Sequence, residues 1–146
     1  MVTEKLIVRP YQEEDQRFVV ELWEACSLVV PQNNPLRDIE RKLKVNPEMF
    51  LVGLIDGSNF ATVMAGYEGH RGWINYLAVS PTMQRRGIAQ QIMMEAENLL
   101  KSLGCPKINL QVRSSNSDVI GFYETLGYSV SPVIGLEKRL IQDDRS

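Results

Sequence analysis

The sequence predicts an α/β fold in which a mixed, mostly antiparallel sheet has helices on both faces. Apolar runs at residues 49–55 and 60–67 flank the turn D-G-S-N at residues 56–59, as in a β-hairpin. The run at residues 73–79 is apolar almost throughout, which suits a strand buried on both faces. A long helical segment then leads to a further strand at residues 107–113, and such a crossover makes these two strands parallel.

Elements near the two ends of the chain complete the predicted fold. A first strand is predicted at residues 5–9 and a last strand at residues 133–140, followed by a frayed tail over residues 142–146. The acidic turn at residues 13–15 begins a helix with an apolar inward face. That face is Phe18, Val19, Leu22, Trp23 and Cys26. The length suits a single domain with a real core, which we expect to span residues 1–146.

A second, short helix is predicted to begin at the cap Asn34, with Pro35 in its first position. Its inward stripe is predicted to be Leu36, Ile39 and Leu43. Its charged residues are expected to be ordinary solvated surface. They are Arg37, Asp38, Glu40 and Arg41.

Composition and charge exclude several classes of function. Sixteen basic and eighteen acidic residues give a net charge of −2, which argues against nucleic acid as the main partner. The two cysteines, Cys26 and Cys105, lie far apart and in no metal-ligand spacing, so we expect no metal and a reduced, cytoplasmic protein. There is no secretory signal and no apolar run near the roughly 20 residues that span a bilayer, so no membrane partner is expected.

A glycine turn follows the strand at residues 73–79 and opens the long helix. Residues 84–89 read Q-R-R-G-I-A, and apolar residues then recur at helical spacing to Leu103, before Gly104 and Pro106 end the helix. Unpaired N–H groups at such a helix start bind anions, usually phosphate, and Arg85 and Arg86 add positive charge. The turn lacks the Lys-Ser or Lys-Thr pair of a P-loop and two glycines of a dinucleotide motif. Alternatively, Gly87 merely eases packing.

Two motifs resemble one family. Residues 84–89 match [QR]-x-x-G-x-[GA], the pyrophosphate-binding signature of the GNAT superfamily of acetyl-coenzyme A dependent N-acetyltransferases. Residues 116–128, N-S-D-V-I-G-F-Y-E-T-L-G-Y, resemble the GNAT pattern N-x-x-[AV]-x-x-[FL]-Y-x-x-[LN]-G-[FY], and a capping box from Ser115 to Asp118 precedes their helix. The sequence as a whole resembles the bacterial YpeA-type branch of the superfamily most closely.

The resemblance implies a GNAT-like fold, with a splayed parallel pair of fourth and fifth strands that holds acetyl-CoA. It implies transfer of the acetyl group to a primary amine of a small metabolite, a peptide N-terminus or a lysine, by direct attack in a ternary complex. A homodimer and a monomer both stay open. The residues that it places on the coenzyme are Leu77, Ala78, Val79, Gln84, Arg85, Arg86, Gly87, Ile88, Ala89 and Asn116.

The resemblance also implies the catalytic groups. Tyr123 matches the family tyrosine that protonates the coenzyme A thiolate, although it could equally be a core tyrosine like Tyr128. The usual positions of the general base hold no carboxylate, so Glu68 is predicted as the base, with His70 and water as alternatives. Because those carboxylates are missing, an acyl-CoA-binding or sensing protein with little transferase activity is the alternative function.

Overall fold

The computed structural model describes residues 5–143, and a five-stranded sheet lies at its centre. The strands have the same order in space as in the chain: β1 (Ile7–Pro10), β2 (Phe50–Ile55), β3 (Ser58–Tyr67), β4 (Gly72–Val79) and β5 (Ile108–Leu110). Strands β1 to β4 are antiparallel to their neighbours, whereas β4 and β5 are parallel. The predicted mixed, mostly antiparallel sheet is therefore confirmed.

Helices cover both faces of this sheet, as predicted. They are α1 (Gln16–Ala25), α2 (Pro35–Lys42), α3 (Ile88–Ser102) and α4 (Ser117–Thr125). Successive side chains of a strand point to opposite faces. Along β2, Phe50 and Val52 pack with α1 and α2, whereas Leu51 packs with α3 and α4. The sheet therefore separates two apolar cores.

The inward faces of α1 and α2 are narrower than predicted. Phe18 is 57% exposed, and Leu36 and Leu43 are each 43% exposed, so the prediction that they face the core is wrong. In α1 the buried stripe is Val19, Leu22 and Trp23, and in α2 the buried residues are Pro35 and Ile39. Short helices that lie on a sheet bury a stripe only as wide as their contact with it, so residues one position to the side stay in water.

The charged face of α2 is only in part the ordinary solvated surface that was predicted: Arg37 and Glu40 are exposed, whereas Asp38 and Arg41 bind distant partners. Asp38 accepts a hydrogen bond of 2.6 Å from the Tyr76 hydroxyl. Arg41 binds both carboxylate oxygens of Asp143, at 2.7 and 3.2 Å. Asp143 is only 7% exposed, so the predicted frayed tail is anchored at this residue, while residues 144–146 lie outside the described part of the chain. The two partners of α2 are distant in sequence, which is why the local pattern did not predict them.

The end of the sheet also differs from the prediction. Strand β5 covers three residues rather than the predicted 107–113, and the described residues 133–140 form no strand. In that segment Val133 is 76% exposed and Leu136 is 93% exposed. Pro132 has no N–H to donate to a ladder, and Gly135 adds flexibility without a side chain to pack, so the apolar run lacks the support of a regular strand.

A bulge in β4 is fixed by a buried hydroxyl. Thr62 is opposite Ala78, but Met64 is opposite Asn75, so β4 has one extra residue here, and Tyr76 has a left-handed φ of 52°. The Thr62 hydroxyl accepts a bond of 2.9 Å from the Trp23 indole N–H and donates one of 2.9 Å to the Tyr76 carbonyl. The Trp23 and Tyr76 rings also stack at 3.8 Å. A side chain in this backbone region is strained, and these contacts stabilise it.

We predict that Thr62→Val destabilises the protein by about 2–4 kcal/mol, because it leaves a buried donor and a buried acceptor unpaired. Thr62→Ser is the matched control, since it keeps the hydroxyl and should cost only about 1 kcal/mol for the lost methyl group. Urea denaturation of the three proteins measures both values. Equal losses for valine and serine would show that packing, and not the hydroxyl, holds the bulge.

Candidate functional site

A wedge opens between β4 and β5. The two strands pair only at Gly72 with Ile108, Trp73 with Asn109 and Ile74 with Leu110. Beyond these pairs β5 ends, while β4 continues through the bulge to Val79. Bulges bend a strand and often occur beside active sites. The structure thus has the splayed parallel pair that the resemblance implies.

Backbone groups of β4 line this wedge. The Ser80 N–H donates to the Phe60 carbonyl across the β3 side at 2.8 Å. Backbone groups alternate sides along a strand, so those of Val79 face away from β3. The Val79 carbonyl accepts bonds from the Gln84 amide at 3.2 Å and from the Cys26 thiol at 3.3 Å. Gln84 therefore ties the following turn to the end of β4.

The turn after β4 forms an open cradle at the start of α3. Arg85 and Gly87 have left-handed φ values of 65° and 77°, and α3 begins at Ile88. A Cβ built on Gly87 would meet nothing within 4 Å. The first N–H groups of a helix lack partners within it, so this N-terminus can receive a phosphate close to the backbone. Arg85 and Arg86 are exposed beside it.

Tyr123 in α4 lies in the α3/α4 core together with Leu77 and Leu110, one from each side of the wedge. It is 7% exposed, and its hydroxyl makes no hydrogen bond to any residue in the described range 5–143. Burial raises the pKa of its phenol to about 12. Tyr128, by contrast, donates to Glu97 at 2.5 Å. The alternative interpretation, a core tyrosine whose hydroxyl has a local partner, therefore fits Tyr128 but not Tyr123.

Asn116 caps α4. Its side-chain oxygen accepts the Val119 N–H at 3.3 Å, so the cap is Asn116 and not the predicted Ser115. The helix α4 still begins within the motif, at Ser117. It also gives Asn116 a structural role that would accompany any contact with a ligand.

Glu68 and His70 lie beyond the closed end of the wedge. Tyr67, which precedes Glu68, is opposite Gly72 at the start of β4, whereas the bulge begins at Asn75, opposite Met64. That interval corresponds to roughly 10 Å of strand. The Glu68 carboxylate accepts the N–H groups of Arg71 and His70, which lower its pKa and make it a weaker base. Both the position and the pKa disfavour Glu68 as the base.

The structure adds three residues to the site that the sequence did not single out. Tyr76 is the strained residue of the bulge, Thr62 holds its carbonyl, and Asp38 binds its hydroxyl. The separation between Asp38 and Tyr76 is 38 residues, and no local spacing marks such a pair. Tyr76 and Asn75 were the polar side chains in a strand that the sequence predicted to be buried on both faces, and the structure shows that Trp73 and Asn75 of this strand are exposed.

Two features of the described residues bear on other functions. None of the helices within residues 5–143 has the length and apolar character needed to span a membrane. Within the same range, no group of three or more His, Cys, Asp or Glu side chains is arranged to hold a metal ion.

The Acetyltransferase (GNAT) family matches residues 9–128. An acetyltransferase of Pectobacterium atrosepticum is 46% identical over 136 residues, with 93% of this chain and 96% of the relative covered. The same identity and coverage relate the chain to a Yersinia pestis protein named as an uncharacterized N-acetyltransferase.

A solved structure shares the fold. It is that of AAC(6′)-Iy in complex with the bisubstrate analogue CoA-S-monomethyl-acetylneamine, and it superposes with a TM-score of 0.76 at 17% identity, covering 93% of this chain and 99% of that chain. With the family match over most of the chain and relatives of 46% identity, the chain belongs to the GNAT family and is an acetyl-CoA-dependent acetyltransferase.

Proposed function

We propose that the protein transfers the acetyl group of acetyl-CoA to a primary amine, by direct attack in a ternary complex. The observation that carries this proposal is the wedge, which has the open helix start at Gly87 at one end and, on one face, the Tyr123 phenol, whose hydroxyl has no partner within residues 5–143. The acceptor class comprises the amines of small metabolites, peptide N-termini and lysine side chains. The name of the Yersinia pestis relative, an N-acetyltransferase, supports transfer to nitrogen.

We propose that acetyl-CoA binds along β4 with its thioester toward the bulge. Leu77, Ala78 and Val79 would pair with the pantetheine arm as a missing strand would. The pyrophosphate would lie on the cradle formed by Gln84, Arg85, Arg86, Gly87, Ile88 and Ala89, with Asn116 beside the arm. The open space at Gly87 supports this arrangement, because a phosphate needs close approach to the backbone.

Positioning would supply much of the rate, since a neutral amine held against a thioester carbonyl attacks without a covalent enzyme intermediate. A backbone N–H of β4 would bind the carbonyl oxygen as negative charge develops on it. Tyr123 would protonate the departing thiolate. Its raised pKa, about 12, keeps the phenol protonated at neutral pH, and its hydroxyl has no competing partner among the described residues.

We also propose that residues 1–146 form one domain that works in the cytoplasm. The described strands and helices pack on a common sheet, and the two cysteines are free, which suits a reducing compartment. A homodimer stays a prediction. The alternative of an acyl-CoA sensor loses support, because the relatives at 46% identity are named acetyltransferases.

We predict that Gly87→Leu abolishes the stabilisation by acetyl-CoA without unfolding the protein. Wild type should gain about 2.7 kcal/mol at a ligand concentration of 100 Kd, measured as a rise in Tm. Gly57→Leu is the matched control, because Gly57 has a φ of 79° and equally open surroundings in the β2–β3 turn. Both variants should lose about 1–2 kcal/mol from the left-handed backbone, but only Gly87→Leu should ignore acetyl-CoA.

The cradle assignment is wrong if Gly87→Leu retains the full Tm rise. If Gly57→Leu loses the Tm rise with acetyl-CoA, the proposed position of the coenzyme site is wrong.

We predict that Tyr123→Phe lowers kcat by about 10²-fold and leaves the Kd for acetyl-CoA near the wild-type value, because the change removes a proton donor and little volume. Steady-state kinetics on a confirmed amine, with the Kd from calorimetry, measures both. Tyr128→Phe is the control. It should cost stability through the lost bond to Glu97 and leave kcat unchanged. An unaltered kcat in Tyr123→Phe would return Tyr123 to the role of a core residue.

A further inference from the structure

Asp38 is held beside the β4 bulge in a defined orientation. Its side chain is 21% exposed, and one carboxylate oxygen accepts the Tyr76 hydroxyl at 2.6 Å. The other oxygen is 3.4 Å from the Arg41 guanidinium, a long contact for an ion pair. The shortest bond of the carboxylate thus comes from a neutral donor, and its ion pair with Arg41 is a long one.

Arg41 is committed elsewhere. Its two terminal nitrogens bind the Asp143 carboxylate at 2.7 and 3.2 Å, a bidentate geometry that exceeds its contact with Asp38 in both number and shortness of bonds. Asp143 also accepts the Asn34 N–H at 3.0 Å. Arg139, the other cation of the cluster, interacts with Asp143 and binds the Asn33 side chain at 2.6 Å. One nitrogen of Arg41 is therefore shared between Asp143, at 3.2 Å, and Asp38, at 3.4 Å, so Asp143 weakens the ion pair of Asp38.

Tyr76 links this carboxylate to the bulge of β4, through a hydroxyl bond of 2.6 Å. The strand pairing of β4 with β5 ends at Ile74, two residues before Tyr76, and the proposed pantetheine contacts begin at Leu77, the next residue. The Tyr76 ring packs with the α1/α2 core, whereas Tyr123 belongs to the α3/α4 core. The two tyrosines thus lie on opposite faces of the sheet at the bulge. Tyr123 is on the side of the proposed leaving group, and Tyr76 is on the side of Asp38.

We propose that Asp38 is the carboxylate that binds the acceptor's ammonium group and takes its proton, with Tyr76 as the residue that positions it. This inference rests on the proposed transfer to an amine. The ammonium gives one proton to Asp38, which passes it to solvent, and the neutral amine then attacks. As the bond from nitrogen to the acetyl carbon forms and the carbon–sulfur bond breaks, the nitrogen gives its second proton to Asp38, so that a neutral amide results. The thiolate takes its proton from the acid on the opposite face, and solvent then restores the proton of that acid. The preferred acceptor is therefore an amine that is cationic in solution.

The test is the pH dependence of kcat/KM for a strongly basic amine, such as a lysine side chain with a reference pKa of about 10.4. Asp38→Asn keeps an acceptor for the Tyr76 hydroxyl but removes the basic oxygen. We expect a loss of about 10²-fold at neutral pH, which shrinks as the pH rises and more amine arrives already neutral. Glu40→Gln, on the exposed side of the same helix, removes a carboxylate without this effect, and its profile should coincide with that of wild type.

Tyr76→Phe tests the positioning. It keeps the ring stacked on Trp23 and removes only the hydroxyl, so kcat/KM should fall by less than in Asp38→Asn, with the wild-type shape of the pH profile retained. Both variants should keep the Tm rise with acetyl-CoA. If Asp38→Asn fails to fold, the kinetics of Tyr76→Phe still test the proposal, because an unchanged kcat/KM in this variant overturns it.

Turnover in Asp38→Asn that matches wild type at neutral pH overturns the role of Asp38 and leaves the transfer to amines intact. A constant deficit at every pH overturns it too, since a distorted site would behave in that way. If wild type binds acetyl-CoA but acetylates no amine in a panel of primary amines, the proposed function itself fails, and this inference fails with it.

Discussion

The pair of hydrogen bonds at the Thr62 hydroxyl is the interaction on which the geometry of the site depends. Thr62 is completely buried, and its two bonds join α1 to the carbonyl of the one β4 residue with a left-handed φ. A regular β4 would continue alongside β5 with an unbroken ladder. The bulge instead turns β4 away, so a small polar group in an apolar core maintains the opening that a ligand can fill.

In the proposed mechanism, the sheet separates the acid from the base. On one face, Tyr123 sits in apolar surroundings that keep its phenol protonated. On the other face, charged groups of α2 and the C-terminal segment surround Tyr76, whose pKa is raised by burial and by Asp38. A proton donor is thus kept in a dry environment and a negative charge in a polar one. Such a separation of environments lets an acid and a base act at the same pH.

The sequence predicted what local patterns encode. The hairpin was predictable from Asp56 and Gly57, whose positive φ values suit that dipeptide, and the start of α3 from Gly87. Predictions from local patterns failed where tertiary contacts decide which side chains are buried. Phe18 has the right spacing for the inward face of α1 but lies beyond the contact with the sheet.

Among the candidate site residues, those within the two motifs could be predicted because each motif is continuous in sequence. Asp38 was taken for solvated surface because its partner, Tyr76, comes from a distant strand. Glu68 was chosen for its chemistry, and only the register of β3 with β4 shows that it lies at the far end. Long-range register is the information that a single sequence carries least clearly.

The ion pair between Arg41 and Asp143 joins residues 102 positions apart. During synthesis, the elements from β4 to α4 are complete by residue 125, whereas the ion pair of α2 must wait for Asp143. Contacts of such long separation form late, because closing the loop costs entropy before the contact repays it. The charges around Asp38 would thus reach their final arrangement only after the elements of the proposed coenzyme side are complete.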